Sequence, residues 1–195
     1  MAKSSLLPRG FKSNSEKISL DFRRKLNLQP HDPLCGFELA SYLKIAVFSA
    51  TEFFPEGTNI SSLVGTKTKD KGWSALTMKT SKNNTIIIHN HLHAPTRQQS
   101  NLMHELAHVI CKHEYSVDNI EISIPNLMRK FDKQQEEEAN YLGSALQIPR
   151  EALLWALKEK MQKQEIAEYF NASPQMVTLR INSTGVKSQL NYLDR

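Results

Sequence analysis

The residues best suited to chemistry in this chain are two histidines and a glutamate in the pentapeptide HELAH, at residues 104–108. Histidines four positions apart lie one turn apart on the same face of a helix, so both imidazoles can reach one metal ion. A glutamate directly after the first histidine lies beside that metal, where it can take a proton from the attacking water. The pentapeptide therefore predicts a zinc site of the hydrolytic kind, with His104 and His108 as ligands and Glu105 as the general base.

The flanking residues predict that this pentapeptide lies on an amphipathic helix. Thr96 with Gln99 predicts a capping box at its start, and Pro95 blocks extension further back. At about 100° per residue, His104, His108 and Cys111 share one face, while the apolar residues 102, 106, 109 and 110 lie opposite. The histidines are thus outside the main apolar stripe. The alternative is that both histidines are core residues whose ring nitrogens are hydrogen-bonded inside the protein.

A third ligand is expected downstream, because catalytic zinc takes three protein ligands and keeps a fourth position for water. Residues 133–149 predict a helix that contains three successive glutamates, Glu136, Glu137 and Glu138. Glu136 shares a face with Asn140, which allows a ligand and a hydrogen bond from Asn140 to a ligating histidine. Glu137 stays open as the ligand instead, and the glutamates could equally form a solvated acidic patch. Gly143 would let a neighbouring helix approach closely.

The two segments together resemble the ImmA/IrrE family of zinc metallopeptidases. That family has H-E-x-x-H followed by E-x-x-A-N-x-F-A, and this chain has HELAH followed by EEEANYLGSALQIP; segments near Arg9, Trp73 and Phe170 also resemble it. Leu142-Gly143 replaces the usual Phe-Ala, and His91 stands where the family often has proline. The resemblance implies a gluzincin-like zinc endopeptidase. Its zinc ligands would be His104, His108 and Glu136, and its general base Glu105.

The resemblance also implies a protein substrate, namely a helix-turn-helix transcriptional repressor. Its cleavage would induce a stress, phage-defence or mobile-element response.

Composition restricts the class of protein further. The chain has 195 residues of which 39% are hydrophobic, enough for one buried core and a small appendage. Two cysteines, Cys35 and Cys111, are too few for a disulfide framework and favour a reducing, cytoplasmic compartment. No stretch approaches 18 apolar residues, so we expect no membrane span. The net charge of +5 is compatible with nucleic acid binding but does not indicate it.

The order of predicted elements indicates an α+β fold, with a small β-sheet flanked by helices and a zincin-like active-site helix. Helices are predicted near residues 16–26 and 37–43, and strands at 44–48, 74–79 and 85–89, with a hairpin turn at 81–84. A polar loop is predicted at 65–72 and a linker at 115–125. We assign residues 1–149 to a metallopeptidase domain and residues 150–195 to a C-terminal helical, helix-turn-helix-like subdomain.

Residues 163–182 have helix-turn-helix spacing, with Asn171 at the turn and Ser173 capping a second helix that begins at Pro174. Arg180 is the only cation in that second helix, so it can neutralise few phosphates. We therefore expect the tail to pack on the peptidase or bind a partner, through apolar residues such as Val177, Leu179 and Ile181. The alternative is a DNA-binding regulator that uses the tail to contact DNA and its metal as structure or sensor.

Three further features could act at the site. Cys111 is a candidate metal gate, because a thiolate one turn beyond His108 could approach the metal; a small buried cysteine is the alternative. His89, His91 and His93 alternate and could share a face, although a surface or cleft-lining edge strand is favoured. Transition-state hydrogen-bond donors could come from the residues His113, Tyr115 and Tyr141.

Overall fold

The computed structural model of this chain describes residues 6–58, 60, 73–113 and 132–193. Those residues form a mixed α+β structure that is mostly helical. The predicted loop at 65–72, the linker at 115–125 and Tyr115 lie outside the described residues. In chain order, the elements are α1 Phe11–Lys25, α2 Gly36–Tyr42, β1 Ala46–Ser49, α3 Ala50–Phe53, β2 Ala75–Lys79, β3 Thr85–His89, α4 Pro95–Ile110, α5 Lys133–Gln147, α6 Arg150–Lys158, α7 Lys163–Tyr169, α8 Pro174–Thr184 and α9 Val186–Leu193. None of the described helices is both long and apolar enough to cross a membrane.

The described strands form one mixed sheet in the order β1-β3-β2. Strand β3 lies in the middle, parallel to β1 and antiparallel to β2. Its three successive isoleucines are all buried, so both faces of this strand are covered. The predicted hairpin between β2 and β3 is confirmed, with Asn83 in the left-handed conformation at φ 61°. The expected edge strand at His89 is wrong: His89 ends the central strand, and β2 lies at the edge of the described sheet.

Helix α4 carries the HELAH pentapeptide, and its N-cap lies two residues before the predicted one. Ala94 is the N-cap and Pro95 occupies the first turn, without a side-chain cap, so the predicted capping box of Thr96 and Gln99 is wrong. Gln99 instead contacts the start of α2: its amide donates to Leu34 O at 2.7 Å, and its oxygen accepts from Gly36 N at 3.0 Å. This tertiary use of the glutamine fixes α4 against α2.

Helix α5 crosses α4 at a very short distance, which brings their polar faces together. A Cβ atom added at Gly143 would lie only 3.0 Å from the backbone oxygen of Met103 and 3.1 Å from Cα of His104. The prediction that Gly143 permits a close helix approach is confirmed. Glu136, two turns before Gly143 on α5, is thereby placed beside the histidines of α4.

The helices beyond residue 147 have a core of their own. Its fully buried members include Ile148, Leu153 and Val177. The predicted start of α8 is confirmed, because Ser173 Oγ accepts from Met176 N at 3.1 Å, and Asn171 at the turn has φ 46°. This cluster is distinct from the core formed by the earlier helices and the sheet, and the proposed boundary between residues 149 and 150 stays a prediction.

The cation of α8 faces inward rather than outward. Arg180 is fully buried, and its guanidinium donates to Glu16 Oε1 of α1 at 2.5 Å and to Ile148 O at 2.8 Å. Val177 and Ile181 are buried as expected, whereas Leu179 is 51% exposed, so for this residue only the expected contact with a partner stays a prediction. The tail is thus fixed to the first helix by a buried ion pair.

Candidate metal centre

Three side chains from α4 and α5 converge where the two helices cross. His104 Nε2 lies 3.0 Å from His108 Nε2 and 3.3 Å from Glu136 Oε2, and His108 Nε2 lies 3.4 Å from Glu136 Oε1. His108 is fully buried, while the side chains of His104 and Glu136 keep about a quarter of their surface exposed, at 24% and 23%. Two ring nitrogens and the two oxygens of one carboxylate therefore lie together, and the three side chains form a small triangle that is partly exposed to solvent.

The size of this triangle suits zinc. Ligand atoms bonded to zinc at about 2.0–2.1 Å in a tetrahedron are separated from one another by about 3.3–3.4 Å. The two histidine–carboxylate distances fall in this range, and the histidine–histidine distance is slightly shorter. Two imidazoles and one carboxylate are also the donor types that catalytic zinc takes. His104, His108 and Glu136 thus form a candidate metal site whose donor set fits the ion.

The three successive glutamates of α5 contact three different partners. Glu136 faces the two histidines. The carboxylate of Glu137 accepts a hydrogen bond from Leu6 N at 3.0 Å, and Glu138 Oε2 lies 2.9 Å from His113 Nε2. Because each residue turns a helix by about 100°, only one of the three side chains can reach the triangle. The structure brings Glu136 to it and not Glu137.

Glu105 lies beside this triangle and is held by the sheet. Its side chain is buried at 7% exposure, and its Oε2 accepts a hydrogen bond from Thr77 Oγ1 at 2.6 Å. Thr77, on the edge strand β2, is itself buried. The hydrogen bond fixes the rotation of the carboxylate and engages one of its two oxygens, so β2 orients the glutamate that the sequence predicts as the general base.

A cavity of about 380 Å³ opens over His104 and Glu105. Strand β2 and the residue before it contribute Ala75 and Ser74 to its wall, and α8 contributes Met176. A larger open groove of about 850 Å³ runs along α1, but its charged residues include Asp21 and Arg24, which pair with each other. Neither described cluster of potential metal ligands lines that groove. The smaller cavity is therefore the one associated with the chemistry.

Asn140 lines the same cavity and is exposed. Its predicted hydrogen bond to a ligating histidine stays a prediction. Cys111 lies in a second cluster, with His113 and Glu138, rather than in the triangle. Burial, together with the negative charge of Glu138, raises the pKa of the Cys111 thiol to about 11. At neutral pH the thiol is therefore protonated, and the predicted role as a metal gate would require it to lose that proton first.

The histidines at the end of β3 and just after it make other contacts in the structure. His93 is buried, with its Nε2 3.4 Å from Asn90 Nδ2 and its Nδ1 3.3 Å from Asn101 Nδ2. His89 is also buried and lies edge-on against the ring of Phe37. Burial lowers the pKa of His89, and the nearby His91 lowers it further. The structure does not assemble His89, His91 and His93 into a metal-binding group among the described residues.

Two polar neighbours of the triangle are absent from the sequence prediction in these roles. Thr77 holds Glu105, as described above. His113 Nδ1 lies 2.7 Å from His108 Nδ1, on the side of that imidazole away from the triangle. His113 was expected only as a candidate donor to the transition state, and Glu138 only as part of an acidic patch. Both polar neighbours are buried, so they are parts of the site rather than of the surface.

Comparison with known families agrees with this geometry. Residues 58–182 match the IrrE N-terminal-like domain of the peptidase M78 family. The match covers more than half of the chain and includes the pentapeptide, the glutamates of α5 and most of α8. The chain therefore belongs to the ImmA/IrrE metallopeptidase family. No curated protein matches it.

Proposed function

We propose that this metallopeptidase is a zinc-dependent endopeptidase, with His104, His108 and Glu136 as the metal ligands and Glu105 as the general base. The observation that carries the proposal is the triangle of ligand atoms at 3.0–3.4 Å beside a buried glutamate at a cavity. Two histidines and a carboxylate leave a fourth position for water or substrate, as in hydrolytic zinc sites.

Bound zinc would supply Lewis acidity, polarising the scissile carbonyl and lowering the pKa of the attacking water. Thr77 holds Oε2 of Glu105, which leaves Oε1 for the proton of that water. The same carboxyl group then passes the proton to the leaving amine. Burial keeps Glu105 in one orientation throughout, so the proton is received and delivered from one fixed point.

Strand β2 supports an extended peptide as the substrate. It lies at the edge of the described sheet, and Ala75 at its start lines the cavity beside Glu105. An extended peptide can add to such an edge through main-chain hydrogen bonds, which do not depend on its side chains. Because the same strand carries Thr77, substrate pairing and orientation of the base would depend on one element.

We further propose that the substrate is a helix-turn-helix transcriptional repressor, and that its cleavage induces a stress, phage-defence or mobile-element response. Support comes from membership in the ImmA/IrrE family together with the motif resemblance of the whole site. The proposed location is the cytoplasm, which agrees with Cys35 and Cys111 being free thiols.

Metal analysis tests the ligand set. The protein should hold one zinc per chain, and His108→Ala and Glu136→Gln should each reduce that content. Glu137→Gln is the matched control, because it removes the same charge from the adjacent position and should keep zinc. Undiminished zinc in His108→Ala would refute the ligand assignment. Loss of zinc in Glu137→Gln but not in Glu136→Gln would move the third ligand by one residue.

Cleavage assays test the general base. Glu105→Gln should keep both zinc and fold but lose at least about 100-fold in cleavage rate, because glutamine cannot accept the proton. Candidate repressors encoded beside this gene would be incubated with the zinc-loaded protein, and fragments mapped by mass spectrometry. Cleavage by Glu105→Gln at the rate of the unchanged protein would rule out the mechanism.

A DNA-binding regulator is the second candidate, because α7, the turn at Asn171 and α8 do have helix-turn-helix form. The burial of Arg180 weighs against it, since the only cation within α8 cannot reach phosphates. Few phosphate contacts predict weak binding to duplex DNA with a shallow dependence on salt. Tight, sequence-specific binding with a steep salt dependence would favour this candidate.

A further inference from the structure

A chain of three polar side chains, His108, His113 and Glu138, runs from the candidate metal centre to helix α5. His108 Nδ1 lies 2.7 Å from His113 Nδ1, and His113 Nε2 lies 2.9 Å from Glu138 Oε2. The other oxygen of Glu138 accepts from Gln134 Nε2 at 2.8 Å. His108 and His113 are buried and the side chain of Glu138 is only 13% exposed, so the contacts of His113 with His108 and with Glu138 are largely shielded from water.

The end of helix α4 places His113 over His108. Cys111 is the C-cap, and Lys112 follows it in the left-handed conformation with φ 57°. The amide of Lys112 donates to Val109 O at 3.0 Å, and the amide of His113 donates to His108 O at 3.1 Å. This pair of hydrogen bonds is the Schellman motif, which reverses the chain at a helix end. The reversal returns the imidazole of His113 to the imidazole one turn before the helix end.

The 2.7 Å contact between two ring nitrogens has room for one proton. A carboxylate accepts only, so Glu138 requires a proton on His113 Nε2. In its neutral form, His113 then has a bare Nδ1 that accepts from His108 Nδ1. His108 consequently carries its proton on Nδ1, and its Nε2 presents a lone pair toward His104 and Glu136. This is the tautomer that a metal ligand needs.

We propose that His113 and Glu138 are positioning residues for the metal, acting through His108. This inference rests on the proposed metal centre and adds residues that bind neither metal nor substrate directly. Groups that accept the second ring proton of a ligating histidine fix its tautomer and raise its basicity. Here the imidazole of His113 lies between the ligand His108 and the carboxylate of Glu138, so Glu138 would influence the metal through two successive hydrogen bonds.

The same proton placement decides the role of the cluster formed by Cys111, His113 and Glu138. An ion there would take His113 through Nε2 and leave the proton on its Nδ1. With metal also on His108 Nε2, two protons would then face each other across 2.7 Å. Occupancy of the two sites is therefore mutually exclusive in this geometry. The cluster serves the first site and does not hold a second ion beside it.

The experiment measures zinc affinity by competition with a chromophoric chelator. His113→Phe keeps a ring and removes the accepting nitrogen, and it should bind zinc about 10–100-fold more weakly. Glu138→Gln should weaken binding in the same direction, whereas Glu137→Gln, which removes the same charge one residue earlier, should bind as the unchanged protein does. Adding Glu138→Gln to His113→Phe should cause no further loss, because Glu138 acts only through His113.

Thermal melts of the metal-free variants separate this role from a purely structural one. A structural role would lower the melting temperature and leave the affinity of the folded protein unchanged. If His113→Phe does not fold, comparing the zinc affinities of Glu138→Gln and Glu137→Gln is sufficient, because both substitutions lie on the partly exposed surface of α5 and should leave the fold intact. Equal zinc affinity in these two variants would overturn the proposal, and so would additive losses in the double variant.

Cobalt loading tests the exclusion of a second ion. The unchanged protein and Cys111→Ala should both bind one cobalt per chain, without a thiolate-to-cobalt absorption band. Two ions per chain, with a thiolate band that Cys111→Ala removes, would overturn the proposal while leaving the proposed function intact. Failure of the unchanged protein to bind any metal would instead refute the proposed function itself.

Discussion

Arg180→Met should destabilise the protein strongly, because it breaks a buried ion pair between the tail and the first helix. Arg180 is fully buried, and its guanidinium lies 2.5 Å from Glu16 Oε1, 2.8 Å from Ile148 O and 5.2 Å from the ring centre of Tyr141. Methionine has a similar length but donates no hydrogen bond. The variant therefore leaves the carboxylate of Glu16, which is only 16% exposed, without its cation.

The magnitude follows from the unpaired charge. Removing one partner of a buried ion pair costs about 3–5 kcal/mol in the free energy of unfolding. For a chain of this size, each kcal/mol lowers the melting temperature by about 2–4 °C, so the expected fall is about 6–20 °C. Glu16 keeps a hydrogen bond from Arg150 N at 2.7 Å, which favours the lower part of the range.

Thermal and urea unfolding followed by circular dichroism provide the measurement. Lys187→Met is the matched control, because it removes an exposed cation from the neighbouring helix and should change stability by less than about 0.5 kcal/mol. The double variant Arg180→Met/Glu16→Gln should recover part of the loss, because glutamine leaves no buried charge behind.

A DNA titration at two salt concentrations accompanies the melts. Unchanged stability of Arg180→Met, combined with loss of DNA binding, would refute the structural role and return Arg180 to an exposed recognition surface.

Three further outcomes follow from the site. Thr77→Val should keep zinc but lower the cleavage rate about 10-fold. Loss of a hydrogen bond to a charged group costs about 1.5–3 kcal/mol, and the lower figure, if it all appears in the activation barrier, gives this factor. An unchanged rate would contradict the role of Thr77 in orienting Glu105. Gly143→Ala should weaken zinc binding and lower the free energy of unfolding by about 1 kcal/mol. The added methyl group overpacks against α4 at a cost of about 1–3 kcal/mol, which outweighs the gain of about 1 kcal/mol in helix propensity. A higher melting temperature with unchanged zinc affinity would contradict this prediction. Cys111, whose pKa is raised to about 11, should react with iodoacetamide far more slowly at pH 8 than in the urea-unfolded chain and faster as the pH approaches 11; equal rates at pH 8 would refute the burial of the thiol.

Local patterns in the sequence predicted the elements that carry the site. The spacing of His104 and His108 required one helical face, and both side chains do meet in the structure. The hairpin from β2 to β3 and the cap of α8 at Ser173 were also predictable, because turn and cap preferences depend on neighbouring residues alone. By contrast, Thr96 and Gln99 match a capping box, yet tertiary contacts take Gln99 elsewhere.

The buried polar contacts of His113, Thr77 and Arg180 have no recognisable signal in the sequence. A Schellman motif usually has glycine in its left-handed position, and here Lys112 takes that position, so nothing marks the reversal that returns His113 to His108. Thr77 is one of several residues of β2, and periodicity does not tell which helix residue it meets. Arg180 in a helix-turn-helix pattern suggests an exposed cation, but its burial depends on Glu16, which lies 164 residues earlier.

The sequence by itself determined the kind of chemistry: two histidines on one helical turn, a glutamate beside them, and a downstream glutamate and asparagine sharing a face. Only the tertiary structure decided which carboxylate faces the histidines. Successive residues turn a helix by about 100°, so Glu136, Glu137 and Glu138 point in three directions. The close crossing of α4 and α5 at Gly143 places Glu136 beside His104 at the candidate metal centre, Glu137 beside Leu6 and Glu138 beside His113. Roles that depend on the angle between two helices are fixed by packing between segments distant in sequence, which local residue patterns do not encode.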